Sequence, residues 1–199
     1  MPAVDFWYEF ASTYSYPAAM RIAALAVERG VSLNWRPFLL GPILAKRGMA
    51  DSPFNIYAAK GRYMWSDLNR ICARHRLPLR RPDPFPQNSL LAARVALALE
   101  DVSRPEFTRA VYAAEFGGGR PIADRATIAA LLEAMALDAG AILERATSLA
   151  VKDKLRNETA LAESLGLFGA PNLITADGEI FWGNDRLEEG LDWAAGLAR

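Results

Sequence analysis

Residues 4–15 read VDFWYEFASTYS, and this stretch decides the fold. Its first seven residues are apolar and aromatic, interrupted only by Asp5 and Glu9, a pattern typical of a buried β-strand. The hydroxyl-rich segment ASTYS follows at 11–15. We therefore predict a strand that ends in a polar turn, a place where folds of the α/β type often carry functional groups.

Residues 16–39 extend this start into a β-α-β unit. The apolar run at 20–27 predicts a helix, which Ser12 or Thr13 is placed to cap and which Gly30 ends. Residues 31–39 (VSLNWRPFL) predict a second strand, and Pro37 near its end indicates an edge position or the end of the strand. The two strands of such a unit run parallel, joined by a right-handed crossover.

After these two strands the sequence predicts a series of helices, and strand patterns return only after residue 165. Helical patterns rich in Ala, Leu, Arg and Glu occupy 54–76, 88–99, 105–116, 124–135, 138–148 and 152–165. A hairpin with an Asp177-Gly178 turn and a closing helix at 185–197 follow. Apart from the helical block, this order is that of thioredoxin. We predict an α/β thioredoxin-like fold from 1–42 and 152–199, with an inserted all-helical domain at 43–151.

Composition excludes several classes of function. Lys+Arg and Asp+Glu both number 23, which argues against a nucleic-acid binder and an electrostatic membrane anchor. We see no apolar segment of membrane-spanning length and no signal peptide, so we expect a cytoplasmic protein. Cys72 is the sole cysteine, and with His75 it offers too few ligands for a metal; we predict a structural pair. With a single histidine, a Ser-His hydrolase is also disfavoured.

Four segments together resemble one known family. They are DFWYEFASTYSY at 5–16, WRPFLLG at 35–41, FGAP at 168–171 and WGNDRL at 182–187. In order and spacing these are similar to the 2-hydroxychromene-2-carboxylate isomerases, relatives of kappa-class glutathione transferases and of DsbA oxidoreductases. The chain departs from that pattern at Thr13, where proline is frequent, and at Asn172, where threonine is usual.

The resemblance implies a glutathione-dependent isomerase with DsbA-like architecture. Its reaction would interconvert 2-hydroxychromene-2-carboxylate and trans-o-hydroxybenzylidenepyruvate-type compounds during aromatic degradation, so the partner is a small aromatic substrate. Relatives also suggest a homodimer. Ser12 and Ser15 occupy the positions of the two redox cysteines, which excludes thiol–disulfide exchange. Ser12 is the expected catalytic residue, because its hydroxyl and the adjacent helix N-terminus can stabilise a glutathione thiolate; a plain helix cap is the alternative role.

The resemblance also assigns further site residues. Ala170 would pair its backbone with glutathione as an added strand, beside a cis bond at Pro171. Asn184, Asp185 and Arg186 would hold the γ-glutamyl end at a helix start, although an ordinary capping segment would look the same.

The residues themselves suggest substrate-binding candidates: Tyr14 could flank a planar substrate, although an aromatic residue at a strand–helix corner is more often part of the core. On the long helix, which Asn55 opens, a basic residue and an amide could meet the substrate or glycyl carboxylate; the candidates there are Asn55, Lys60 and Tyr63, with Asp67 and Arg70 beside them, although charged residues on such a face are more often simply solvated.

Two other functions remain open at this point. A kappa-like glutathione transferase would use the same thiolate on halogenated or peroxidised electrophiles. A non-catalytic thioredoxin-like module would instead hold an extended peptide along Pro171. The second alternative predicts that glutathione either does not bind or binds with its thiol un-ionised, so thiol ionisation separates it from both enzymes.

Overall fold

A four-stranded mixed sheet forms the centre of the molecule. The computed structural model describes residues 1–197, so residues 198 and 199 of the predicted 152–199 segment lie outside it. The strands are β1 (Ala3–Tyr8), β2 (Ser32–Pro37), β3 (Asn172–Thr175) and β4 (Ile180–Trp182), in the order β2-β1-β3-β4. β1 pairs parallel with β2 and antiparallel with β3, and β3 pairs antiparallel with β4. The predicted thioredoxin-like order and the edge position of β2 are confirmed.

Ten α-helices surround the sheet in the described part of the chain. α1 (Ser15–Glu28) connects β1 to β2, and α10 (Leu187–Ala194) follows β4 after a 3₁₀ turn at Asn184–Arg186. Between β2 and β3 lie α2 (Leu40–Lys46), α3 (Pro53–Ile56), α4 (Ala58–Arg74), α5 (Leu90–Ala98), α6 (Arg104–Tyr112), α7 (Arg125–Ala134), α8 (Ala139–Thr147) and α9 (Leu149–Ser164), with a π-helical turn at Ala113–Gly117.

Two predicted turns of the chain are confirmed, the one at Gly30 that ends α1 and the Asp177-Gly178 turn that joins β3 to β4. α1 ends at Glu28, and Gly30 takes φ +63° while its N–H bonds to the Val27 carbonyl, which closes the helix. The hairpin between β3 and β4 turns through Gly178 at φ +88°. In both places a residue without Cβ adopts the left-handed backbone at little cost.

Two helix predictions were wrong. The predicted helix at 54–76 is divided at Tyr57 into α3 and α4, and Gly61 of α4 lies against α3 so closely that a Cβ would be 2.2 Å from the Phe54 carbonyl oxygen. Neither Ser12 nor Thr13 caps α1: the helix begins at Ser15, and its preceding residue makes no side-chain capping bond. Both hydroxyls bond to distant parts of the chain instead.

The core continues from the sheet into the helical block. One cluster joins the β1 side chains Phe6 and Tyr8 to α1 and to α5–α8 without interruption. The opposite face of the sheet holds a smaller cluster, formed by Trp7, Phe38, Ile43, Ala162, Leu167, Ala170 and Ile174. Each fully buried aromatic side chain contributes about 2–3 kcal/mol of hydrophobic stabilisation. The division into domains at 43 and 151 stays a prediction.

The described residues contain neither a membrane-spanning helix nor a cluster of metal-binding side chains. Within residues 1–197 no helix is both long and apolar enough to cross a membrane. The same residues contain no cluster of three or more His, Cys, Asp and Glu side chains that could hold a metal ion.

Candidate active site

The Ser12 turn is held by the strand before it and by a loop far along the chain. The Ser12 N–H donates to the Glu9 carbonyl at 3.0 Å, which fixes the turn at the end of β1. The Ser12 hydroxyl donates to the Ala170 carbonyl at 2.9 Å. Thr13 turns the other way and donates its hydroxyl to Met64 Sδ at 3.1 Å. The half-buried Ser12 hydroxyl therefore touches the loop that precedes β3.

That loop presents a free backbone donor. The Ala170–Pro171 bond is cis, as the resemblance implied. The Pro171 carbonyl accepts the Gly183 N–H at 2.9 Å, and the Asn172 side-chain amide donates to the Gly169 carbonyl at 2.7 Å. The Ala170 N–H makes no hydrogen bond to any described residue. Since Ala170 lines a cleft, this donor is available to an extended ligand.

The cleft has a volume of about 690 Å³ and lies between α4 and the sheet end that carries Ala170. This size suits a small-molecule ligand, whose sites span about 300–1,000 Å³. The predicted residues Tyr14, Tyr63, Ala170, Asn184 and Asp185 line it. They are joined there by Arg21, Asp67, Arg70, Ile71, Arg74, His75, Trp182, Gly183 and Glu188.

The other predicted residues lie outside this lining. Pro171 follows Ala170 immediately, and Ser12 reaches the cleft only through its bond to that residue. Asn55 lies on α3, not at the start of the long helix, and its amide bonds to the Asp51 carboxylate and the Phe85 carbonyl. The Lys60 ammonium lies 5.6 Å from the centre of the Tyr57 ring, and Arg186 faces Glu189 at 3.6 Å. Binding roles for these residues stay predictions.

Most charges in the cleft are paired. Arg21 forms an ion pair with Glu188 and donates to Asn184 Oδ1 at 3.0 Å. Asp67 accepts from Arg70 and from the Tyr14 hydroxyl, each at 3.0 Å.

One cation and one anion in the cleft are unpaired among the described residues. Among the described residues, neither the Arg74 guanidinium nor the Asp185 carboxylate has a hydrogen-bond or ion-pair partner. A ligand that carries a carboxylate at one point and an ammonium at another complements this pattern.

Burial and neighbouring charges set the protonation of the cleft. The pKa of Tyr14 is raised, first by burial and then by its bond to Asp67, so the phenol stays protonated and acts as a donor. Burial, with the cations Arg21 and Arg74, lowers the pKa of His75. His75 is therefore a neutral cleft residue at neutral pH, whereas a purely structural role was predicted. Its predicted partner Cys72 is buried, which raises the pKa of that thiol to about 11.

Two buried carboxyl groups lie beneath the Ser12 turn. Glu9 accepts a hydrogen bond from the Ser89 hydroxyl, and burial raises its pKa to about 7. Both oxygens of Glu115, on the π-helical turn, lack a hydrogen-bond partner, and burial together with Glu9 raises its pKa well above the usual range. The Tyr112 hydroxyl donates to the Glu9 carbonyl at 2.8 Å.

Sequence reasoning missed Arg21, Arg74, Trp182 and the buried carboxyl groups. The arginines have the spacing of ordinary solvated helix residues, and no signal in the chain separates them from the many others. Trp182 could have been found, because it begins the WGNDRL segment at 182–187, one of the four segments that carry the resemblance.

Comparison with known proteins agrees with this architecture. Residues 3–192 match the model for the DSBA-like thioredoxin domain. A 2-hydroxychromene-2-carboxylate isomerase from Sphingobium xenophagum is 30% identical over 185 residues, which cover 93% of this chain and 94% of the relative. Glutathione S-transferase kappa 1 from Homo sapiens is 26% identical over 200 residues, covering 93% of this chain and 87% of the relative.

A solved structure leads to the same family. The structure of a 2-hydroxychromene-2-carboxylate isomerase matches with a TM-score of 0.87 and 26% identity, covering 98% of this chain and 94% of the other. The chain therefore belongs to the 2-hydroxychromene-2-carboxylate isomerase family, among the proteins built on a DSBA-like thioredoxin domain.

Proposed function

We propose that this protein is a glutathione-dependent isomerase that interconverts 2-hydroxychromene-2-carboxylate and trans-o-hydroxybenzylidenepyruvate-type compounds. The observation that carries the proposal is the Ser12 hydroxyl, which lies 2.9 Å from the Ala170 carbonyl beside a free Ala170 N–H. This arrangement puts a hydroxyl donor directly beside Ala170, which lines the cleft and carries the backbone donor. Relatives named for the isomerase reaction support the choice of reaction.

The residues present fit glutathione. An extended tripeptide needs backbone pairing for its central residue, and the Ala170 N–H offers it. Its γ-glutamyl end carries one carboxylate and one ammonium, which complement the unpaired Arg74 and Asp185. Asn184 stands at the same end, fixed by Arg21. Relatives named as glutathione transferases also match most of the chain.

When bound, glutathione would supply a thiolate that adds reversibly to a conjugated double bond, so that the bond can rotate before the thiolate leaves. Ser12 would turn its hydroxyl from the Ala170 carbonyl to the sulfur and stabilise the negative charge. The N-terminus of α1 would add the favourable field of its dipole. The protonated Tyr14 phenol and the Arg70 guanidinium face the cleft and would orient an aromatic acid.

A kappa-like glutathione transferase is the second candidate. The observation in its favour is the similarity to kappa transferases from two organisms at 26% identity over more than nine-tenths of this chain. The same Ser12 geometry would serve both reactions. They differ in the fate of glutathione, because an isomerase returns it unchanged and a transferase consumes it.

The test of the thiolate site is a pH titration of bound glutathione, following the ultraviolet absorbance of the thiolate. We expect the wild-type protein to lower the pKa of the bound thiol, and Ser12→Ala to return it toward that of free glutathione. Ser32→Ala is the matched control: Ser32 also donates its hydroxyl to a backbone carbonyl, that of Pro2 at 3.2 Å, but at the other end of β1. An unshifted thiol, or no binding, would leave the peptide-binding module as the better function.

A second assay separates the two enzymes. The protein is mixed with 2-hydroxychromene-2-carboxylate and a limiting amount of glutathione, and both are quantified over time. Conversion of many substrate molecules per glutathione, with the thiol recovered, is the expected result. Loss of one thiol per substrate, or turnover only with halogenated electrophiles, would identify the transferase instead. A cytoplasmic location and a homodimer stay predictions.

A further inference from the structure

A buried asparagine lies opposite a buried tryptophan next to the active-site loop. Asn172 begins β3 directly after Pro171, and its register partner in the antiparallel β1–β3 pair is Trp7. Side chains of directly opposed residues project from the same face of the sheet, with Cβ atoms about 4.5–5.5 Å apart. Both are almost fully buried, with 1% of Asn172 and none of Trp7 exposed.

The two side chains carry complementary orphan atoms. The Trp7 indole Nε1–H is a buried donor with no partner, and Asn172 Oδ1 is a buried acceptor with no partner. A buried polar group left unpaired costs free energy, so native interiors pair such groups directly or through an internal water. One internal water between the two side chains would accept the indole N–H and donate to Asn172 Oδ1, which satisfies both atoms.

The indole is firmly held on its other sides. Its ring packs edge-on against Phe38, with 6.0 Å between ring centres, and the Arg36 guanidinium carbon lies 4.5 Å from the ring centre. Arg36 is fixed in turn by two hydrogen bonds to Glu158. Trp7 is therefore a rigid anchor to which a neighbouring side chain can be tied.

The other end of Asn172 reaches the active-site loop. Its Nδ2 donates to the Gly169 carbonyl at 2.7 Å, one residue before Ala170. Trp182, the register partner of Asn172 in the β3–β4 pair, lies against the same loop so closely that a Cβ on Gly169 would be 2.5 Å from the Trp182 Nε1. The loop is thus in contact with both Asn172 and Trp182.

We propose that Asn172 is a positioning residue: linked to Trp7 through its Oδ1 and to Gly169 through its Nδ2, it fixes the loop that presents Ala170 to the ligand. The link to Trp7 is made through one internal water, which accepts the indole N–H and donates to Asn172 Oδ1. Asn172 touches neither Ser12 nor the cleft and acts through Ala170, whose carbonyl accepts the Ser12 hydroxyl. The consequence for thiol binding rests on the proposed function, whereas the buried link does not.

The link is tested first, without glutathione, by the indole N–H signals in a proton–nitrogen correlation spectrum. Trp7→Phe keeps an aromatic ring, removes the donor and identifies the Trp7 signal. We expect that signal in the wild type to exchange slowly with solvent, and in Asn172→Ala to move and exchange at least tenfold faster. Asn88→Ala is the matched control, since the exposed Asn88 also uses its Oδ1 as an acceptor, for the Leu90 N–H at 3.0 Å, but at the start of α5. A Trp7 signal indifferent to Asn172→Ala would refute the link.

The positioning role is tested by glutathione binding to the same variants. We expect Asn172→Ala to weaken binding on the order of 10- to 100-fold, as misplacement of a binding group by about 1 Å does, and to raise the pKa of the bound thiol. Trp7→Phe should have a smaller effect of the same sign, because the bond to Gly169 remains. Lost stability with wild-type binding would mean a merely structural residue. If the wild-type protein does not bind glutathione, the proposed function and the positioning role are both refuted. The link between Trp7 and Asn172 is then tested by the spectrum alone.

Discussion

Replacing Glu9 by glutamine is expected to remove a large part of the pH dependence of this protein's stability. The Glu9 carboxyl group is buried at the end of β1, where it accepts the Ser89 hydroxyl hydrogen bond. Burial raises its pKa to about 7 from the usual 4.5, while the bonds from Ser89 and the Ala11 N–H oppose the shift. The glutamine oxygen can accept both bonds, so Glu9→Gln removes the ionisation and keeps the contacts.

The size of the effect follows from linkage. Below pH 4.5 the group is protonated in both the folded and the unfolded chain and costs nothing. Between 4.5 and about 7 the unfolded chain releases the proton while the folded chain holds it, so stability falls as pH rises. Each pH unit is worth about 1.4 kcal/mol, which gives a loss of about 3 kcal/mol by pH 7.5. That loss is absent from Glu9→Gln.

Urea unfolding of the wild type and the variant at a series of pH values from 4.5 to 7.5 measures this difference. Protonation of the carboxylates that do not interact with Glu9 affects both proteins alike and cancels in the comparison. Glu106→Gln, which removes an exposed carboxylate from α6, is the charge-matched control. We expect the free energy of unfolding of Glu9→Gln, measured relative to that of the wild type, to rise by about 3 kcal/mol between pH 4.5 and pH 7.5. Two parallel stability curves would show that Glu9 is already ionised in the folded protein and would refute the reasoning.

Two further substitutions test close contacts. Gly61→Ala should destabilise the protein by about 2–3 kcal/mol in urea unfolding, because its Cβ would lie 2.2 Å from the Phe54 carbonyl oxygen; Gly41→Ala, whose Cβ meets nothing within 4 Å, is the control and should cost nothing measurable. Asp67→Asn should lower the pKa of Tyr14 in an ultraviolet titration of its phenol, since the carboxylate that disfavours the phenolate is gone. An unchanged Tyr14 titration would mean that burial alone raises that pKa.

The parts of the fold that the sequence predicts well are those decided by neighbouring residues. The strand and turn at 4–15, the glycine that ends α1 and the Asp177-Gly178 hairpin each depend on side chains a few positions apart. The helix break at Tyr57 could not be predicted in this way, because it goes with the close approach of Gly61 in α4 to the backbone of α3.

The candidate site was harder to predict than the fold, because its contacts join residues that are far apart in the sequence. Ser12 was correctly placed after β1, but the partner of its hydroxyl is Ala170, 158 residues away, and no local pattern distinguishes that bond from a helix cap. Glu115 is buried although glutamate normally faces water, and it lies on a π-helical turn, whose extra residue changes the direction in which side chains project. Contacts of this kind depend on packing that only the assembled chain defines.

The distribution of hydroxyl and thiol groups explains why the proposed chemistry needs a thiol from a ligand. The sole cysteine, Cys72, is buried, and a thiol with a pKa of about 11 is not a nucleophile at neutral pH. Ser15, predicted to stand in the second cysteine position, is fully buried and does not line the cleft. Ser12 alone of the pair touches the loop that lines the cleft. A site with the Ser12 hydroxyl beside the cleft loop and no reactive protein thiol is suited to stabilising a bound thiolate and unsuited to disulfide exchange, which needs a thiolate nucleophile from the chain.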